Sequence, residues 1–282
     1  MLSHSPGGEL RALLARGPVP IVGAFNALCG RMAERVGFRC VYLSGAALSA
    51  GVGCVPDAGV MTMPEFVAQA RYLTSAVSIP VLADADTGFG DERSIARTVR
   101  EYEAAGLAGL HLEDQAWPKR CGHLPGKRVV PVEEMTARLR AACAARRDEA
   151  FLIVARTDAR SVEGLQAAVE RGLAYRIAGA DAVFPEALES AAEFAEFARS
   201  VPGPLIANAT EFGKSPLLPV DEFGRLGYAG VLFPATVFRA AMGEAERALR
   251  ALFEAGTQSE WLERMLTRRA LYEYLDYDPS GA

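Results

Sequence analysis

Residues 80–114 read Pro-Val-Leu-Ala-Asp-Ala-Asp-Thr-Gly-Phe-Gly-Asp-Glu-Arg-Ser-Ile-Ala-Arg-Thr-Val-Arg-Glu-Tyr-Glu-Ala-Ala-Gly-Leu-Ala-Gly-Leu-His-Leu-Glu-Asp. The stretch opens on a short apolar run, Pro80–Ala83, followed by Asp84 and Asp86. It then turns amphipathic: across Glu92–Ala105, Ile95, Val99 and Tyr102 are spaced for one helical face. Gly106 follows, as a left-handed helix cap requires. A second apolar run, Ala108–Leu112, ends in Glu113 and Asp114. The pattern predicts strand, helix, strand.

Working outward, the same unit recurs. Further strand candidates are Pro20–Ala24, Cys40–Leu43, Phe151–Ala155, Ala182–Phe184, Pro204–Ala207 and Gly230–Phe233, and Gly37, Gly179 and Gly227 repeat the role of Gly106. Eight strands alternating with helices is the count of a (β/α)8 TIM barrel. No Gly-x-Gly-x-x-Gly follows a strand, so a dinucleotide-binding open sheet has no support. We therefore expect one barrel domain over 1–282, with 257–282 as a C-terminal helical extension. That extension begins Thr257-Gln-Ser-Glu, a capping-box pattern, and runs on rich in Leu, Met, Trp and Tyr. Such an apolar appendage predicts an oligomer.

The chain has 282 residues, half of them hydrophobic, which suits a barrel. Thirty basic and 35 acidic residues give a net charge of −5, arguing against nucleic acid as a partner. No run approaches a membrane span, and the start lacks the regions of a signal peptide. Five scattered cysteines read as free thiols in a reducing cytoplasm. Lysine occurs at 119, 127 and 214 alone, none at a strand end, which excludes a Schiff-base aldolase. The histidines at 4, 111 and 123 do not follow a hydrolase pattern.

Polar residues gather where strands end: Asn26, Ser44 and Gly45, Asp84 and Asp86, Glu113 and Asp114, Arg156 and Asp158, Glu186, Asn208 and Thr210. Barrel active sites are built at those ends, so these side chains are expected to converge on one mouth. Asp84 and Asp86, two apart, would share a strand face, with Glu113 one strand later. Three carboxylates without clustered Cys and His favour Mg²⁺ or Mn²⁺ keeping several waters. His111 shares the face of Glu113 and is expected to orient a carboxylate. Arg156 offers a planar fork for a substrate carboxylate, with Arg239 and Arg268 as weaker candidates. Ser44-Gly45-Ala46 can present backbone N–H groups to an anion, and Asn208 and Thr210 can grip a second carboxylate. A small polycarboxylate on a divalent cation fits this set.

Residues 119–123, Lys-Arg-Cys-Gly-His, place a thiol among cations on a Gly-flanked loop. Lys119, Arg120 and His123 are expected to stabilise a thiolate, letting Cys121 exchange a proton near neutral pH. Metal-assisted carbon–carbon cleavage follows naturally, with Cys121 protonating the carbanion released. Tyr42, at a strand end, could hold or donate a proton. A catalytically silent metabolite-binding barrel would not need the thiol.

These motifs resemble the isocitrate lyase/phosphoenolpyruvate mutase superfamily, and within it the methylisocitrate lyases. Besides 119–123, the similar segments are Asp84–Gly90, Gly109–Gln115, Tyr42–Gly45, Ala155–Ala159, Phe184–Ala187, Asn208–Gly213 and Thr267–Glu273, in order from about Ser5 to Tyr277. The resemblance implies a TIM barrel assembled as a homotetramer, with the last helix exchanged between subunits. It implies cleavage of 2-methylisocitrate to pyruvate and succinate in propionate breakdown. It further implies that Asp84 and Asp86 hold Mg²⁺ with Glu113 close by. Ser44, Gly45, Ala46, Cys121, Gly122, Arg156, Glu186, Asn208, Ala209, Thr210, Arg239 and Arg268 would contact substrate, with Cys121 as acid and Tyr42 the first candidate for the base. Some methylisocitrate lyases read Ser-Gly-Gly-Gly where this chain has Ser44-Gly45-Ala46-Ala47. Related activities on 2,3-dimethylmalate, isocitrate or oxaloacetate are the alternatives.

Overall fold

The computed structural model describes residues 5–279 and 281; the start of the chain, with His4, lies outside them. Eight parallel strands form in chain order: β1 Val19–Ala24, β2 Val41–Leu43, β3 Val81–Asp84, β4 Gly109–Glu113, β5 Leu152–Thr157, β6 Ala182–Pro185, β7 Ile206–Asn208 and β8 Gly230–Phe233. Each neighbours the next, β8 returns to β1, and a bridge between Val183 and Leu205 joins β6 to β7. All eight expected strands are present, as is the barrel.

Helices α1 Pro6–Arg16, α2 Ala27–Val36, α3 Gly45–Leu48, α4 Met63–Ala76, α5 Glu92–Ala104, α6 Val132–Ala145, α7 Arg160–Glu163, α8 Leu165–Ile177, α9 Ala191–Ser200, α10 Val220–Arg225, α11 Thr236–Ala255 and α12 Arg268–Tyr274 complete the fold. The sequence reading passed over α1. Its Leu10, Leu13 and Leu14, spaced for one face, pack with the barrel-interior residues Ile21, Tyr42, Leu82, Val154, Phe184 and Leu232.

Parity within the strands positions the site. Side chains two apart share a face, and the interior face runs from apolar to polar along each strand. Cys40 and Tyr42 lead to Ser44, Leu82 leads to Asp84, Leu152 and Val154 lead to Arg156, and Ala182 and Phe184 lead to Glu186. The opposite parity, Val81, Ala83, Leu110, Leu112, Ile153 and Ala155, packs under the helices. One alternation therefore builds both the core and the mouth above it.

The C-terminal extension differs from expectation. The Thr257 box does not start a continuous helix: Ser259 N donates to Thr257 Oγ1 (3.3 Å), and a 3₁₀ segment spans Ser259–Arg264. The chain then breaks, and Thr267 caps α12 by accepting from Ala270 N (3.1 Å). Arg31 of α2 holds α12 in place through Tyr274 O (3.0 Å) and Asp276 (2.7 Å).

Candidate active site

The loop between β4 and α6 is pinned at its base by Gln115, which accepts from Arg120 N (2.9 Å) and donates to Arg120 O (2.8 Å). Gln115 and Val129 pair in an antiparallel bridge, and Ala116 N donates to Arg128 O (2.8 Å). This brings Cys121 and Gly122 over the strand ends. Gly122 fits so closely that a Cβ would overlap Glu186 Oε1 and Arg156 Nη2.

Asp84 ends β3, and Asp86 lies beyond it with φ +46°. The two acids converge through this left-handed turn rather than along one strand face, and Asp84 Oδ1 accepts from Asp86 N (2.9 Å). A Cβ on Gly45 would meet Asp84 Oδ2 at 2.5 Å, so the start of α3 lies against this carboxylate. Glu113 is fully buried and neither of its oxygens has a hydrogen-bond donor; Arg156 Nη1 stands 3.3 Å away. Burial pushes its carboxyl well above the ordinary range, against the pull of Arg156 and Lys119. Burial also lifts Asp86, to about 7, despite Lys119. Asp84 goes the other way: burial is outweighed by His111, Lys119 and Arg156. Because burial also disfavours the imidazolium of His111, Lys119 and Arg156 are the lasting support of the Asp84 anion.

The cations expected around the thiol are engaged elsewhere. Lys119 Nζ bridges Asp57 and Asp86, the latter at 2.6 Å. Arg120 Nη1 donates to Pro125 O (3.3 Å). His123 Nδ1 accepts from Lys214 N (3.0 Å), which places its proton on Nε2, 2.9 Å from Glu186 Oε1. Burial consequently raises the Cys121 thiol, with Asp57 and Glu186 adding to the rise. The expected stabilisation of a thiolate by these three side chains is thus corrected: their ion pairs and hydrogen bonds run elsewhere, and the thiol is pushed up rather than down. Despite its own burial, Glu186 is held far below the carboxylate range by Arg156 and His123.

Asp158 receives Arg156 Nε (3.0 Å) and Nη2 (3.2 Å), leaving the rest of the fork toward Glu113 and Glu186. Asn208 Nδ2 donates to both Glu186 oxygens (3.2 and 3.1 Å), while its buried Oδ1 has no partner. Ala209 and Thr210 are buried just past β7. Tyr42 Oη lies 2.7 Å from His111 Nε2 and 3.1 Å from Asp84 Oδ2. Burial and the Asp84 charge push that phenol well above its ordinary value.

Some expected residues lie elsewhere. Asp114 has the outward parity: it accepts from Thr157 Oγ1, Tyr175 Oη and Asp158 N, each at 2.8 Å. Asn26 caps α2 through Cys29 N (2.8 Å). Arg239 sits at the rim, 3.7 Å from Glu211 and stacked over Phe212. Arg268 lines a groove with Tyr272, Asp276 and Tyr277, which no strand-end residue shares. The sequence reading missed Asp57 and Lys127. Asp57 lies in an irregular loop without periodicity; Lys127 gave a signal, being a rare lysine eight residues after another.

Residues 10–253 match the family described as Phosphoenolpyruvate phosphomutase. The chain belongs to this family. Within it, the chain is 48% identical over 273 residues to the 2-methylisocitrate lyase of Aeropyrum pernix, covering 96% of this chain and 88% of that protein. It is 45% identical to the 2-methylisocitrate lyase of Escherichia coli, covering 98% and 94%. Among solved structures of the superfamily, a 2,3-dimethylmalate lyase superposes with a TM-score of 0.91 at 32% identity, covering 96% and 92%. A phosphonopyruvate hydrolase bound to oxalate and Mg²⁺ reaches 0.87 at 32%, covering 96% and 95%. Membership accounts for the barrel and for the order of the motifs along it.

Proposed function

We propose that this chain is a Mg²⁺-dependent carbon–carbon lyase that cleaves 2-methylisocitrate to pyruvate and succinate. The observation that carries the reading is the Cys121–Gly122 loop set against Glu186 and Arg156 at the mouth where Asp84, Asp86 and Glu113 lie buried. Asp57, Asp84, Asp86, Glu113, Asp158 and Glu186 face Lys119, Lys127 and Arg156 there. Such an acid-rich pocket, with both Glu113 oxygens lacking a hydrogen bond, fits a hard cation. Bound by Asp84 and Asp86 with Glu113 near, Mg²⁺ (or Mn²⁺) would polarise the 2-hydroxy acid and offset charge on the departing enolate.

The chain's own groups do the rest. Arg156, pre-aligned by Asp158, orients a substrate carboxylate, as do the backbone of Ser44–Ala46 and the side chains of Asn208 and Thr210. As the carbon–carbon bond breaks, the carbanion of the succinate half takes the proton from Cys121 Sγ. A raised thiol suits that role, because an acid must hold its proton until the carbanion forms. Tyr42 is the candidate base. Its Oη–H donates to Asp84 Oδ2 (3.1 Å), so it can take the substrate hydroxyl proton while passing its own to that carboxylate, with His111 Nε2 2.7 Å away to orient it.

Arg268 lines a groove at the C-terminus rather than the mouth, and a homotetramer in which the last helix enters a neighbour's site would give it a place in the chemistry. All five cysteines are free, which supports a reducing cytoplasm. Among the described residues no helix is long and apolar enough to cross a membrane. Pyruvate release should be measured with and without Mg²⁺ from 2-methylisocitrate, isocitrate and 2,3-dimethylmalate. The likeness to dimethylmalate lyase makes the last comparison necessary, and isocitrate is included because it lacks one methyl, worth about 1–3 kcal/mol of discrimination. Turnover of another substrate with none of methylisocitrate would replace the assignment.

A further inference from the structure

Lys127 is buried to its tip: its side chain is 1% exposed and that of Asp158, its partner, 0%. Gly126, at φ +80°, turns the chain back so that the ammonium points beneath its own loop. There Nζ donates to the carbonyl of Gly122, the residue after Cys121, and to Asp158 Oδ1 (2.7 Å). Asp158 is the carboxylate that receives Arg156 Nε and Nη2, and its own N–H donates to Asp114 Oδ1 (2.8 Å). Asp114 is fixed in turn by Tyr175, Thr157 and Arg171. A single ammonium therefore joins the thiol loop to the strand end that aims the substrate-reading guanidinium.

We propose that Lys127 is a positioning residue that holds Cys121 in register with Arg156. The inference rests on the reading of Cys121 as proton donor and of Arg156 as carboxylate clamp. Lysine suits the task because its compact head can serve two acceptors in a closed space, where the wider planar head of arginine would press on Gly122. Lys127 touches no reacting atom. Its loss releases the loop and leaves Asp158 with Arg156 as its remaining cation.

The test uses the intact protein and two readouts. Iodoacetamide labelling is followed residue by residue by mass spectrometry, with exposed Cys54 as the internal reference. Lys127→Met should label Cys121 at least about fivefold faster relative to Cys54. Its kcat for pyruvate release should fall about 10²-fold, the scale of a misplaced catalytic group, with KM moving far less. In Lys127→Ala, added ethylammonium should slow the labelling and restore kcat, while neutral propanol should do neither. If Lys127→Met does not fold, Lys127→Arg is measured: it keeps the charge and should still label faster. Wild-type labelling in a folded variant overturns the positioning role, as does an unchanged kcat. Faster labelling in a protein that turns over none of the three substrates would keep the loop tie and discard the lyase reading.

Discussion

At the barrel mouth, charges meet partners: Lys119 lies between Asp57 and Asp86, Lys127 pairs with Asp158, and Glu186 accepts from His123. From Thr236 onward the pattern reverses. No residue of α11 is buried, and Leu249, Leu252, Phe253 and Leu262 face solvent. Burying charge is costly unless it is paired, and exposing a run of large apolar groups is unusual unless something covers it. The mouth thus carries the chemistry, and the tail is read as a surface for a second copy of the chain.

The sharpest way to break this contrast is at the thiol. Cys121→Ser keeps the shape of the mouth and replaces the acid by a far weaker one. General acid catalysis contributes about 10²–10⁴-fold, so kcat should fall roughly 10³-fold. Calorimetry should find Mg²⁺ and oxalate binding close to that of the parent protein, because Asp84, Asp86 and Arg156 are untouched. A kcat within tenfold of the parent would remove Cys121 from the acid role.

At the other pole stands Phe253, which is 91% exposed in the single chain. Burying one such side chain is worth about 2 kcal/mol, or roughly 30-fold in an association constant. Phe253→Asp should therefore weaken assembly by at least that factor, read as a fall in mass by light scattering across a dilution series. Because the side chain touches little in its own subunit, far-UV dichroism should not change. An unaltered mass would place the subunit contact elsewhere; a monomeric parent protein would remove the assembly reading itself.

Much of the mouth was legible in the sequence because period-2 alternation carries two kinds of information at once. The residues that fill the barrel and the residues that crown it share a parity, so Asp84, Glu113, Arg156, Glu186 and Asn208 could be placed before any coordinates. The same rule, applied strictly, would have set Asp114 aside, since it follows Glu113 and faces the helices. What sequence could not supply was pairing. Lys119, Arg120 and His123 flank the thiol in the chain, yet their hydrogen bonds and ion pairs run to Asp57, Asp86, Pro125, Glu186 and the Lys214 amide. Neighbours in sequence proved a poor guide to the field at the sulfur. The tail failed for a related reason: the Thr257 box is a local signal, and local signals lose to whatever the surrounding chain packs against.

That correction predicts the smallest effect. Iodoacetamide reacts with the thiolate, so the rate for Cys121 should climb about tenfold per pH unit below its pKa and level off above it. Burial, Asp57 and Glu186 all push the pKa up, and the His123 amide and Arg156 offset part of this. The midpoint should accordingly lie above the ordinary thiol value of about 8.5, and at pH 7.5 labelling should run at under about a tenth of its plateau. A midpoint below 8 would mean that Lys119 and Arg120 do reach the sulfur, and that Cys121 rests as a substantial thiolate fraction. The distinction bears on mechanism: a resting thiolate has already lost the proton that the carbanion needs, whereas a thiol whose neighbouring cations are already paired keeps that proton until the bond breaks.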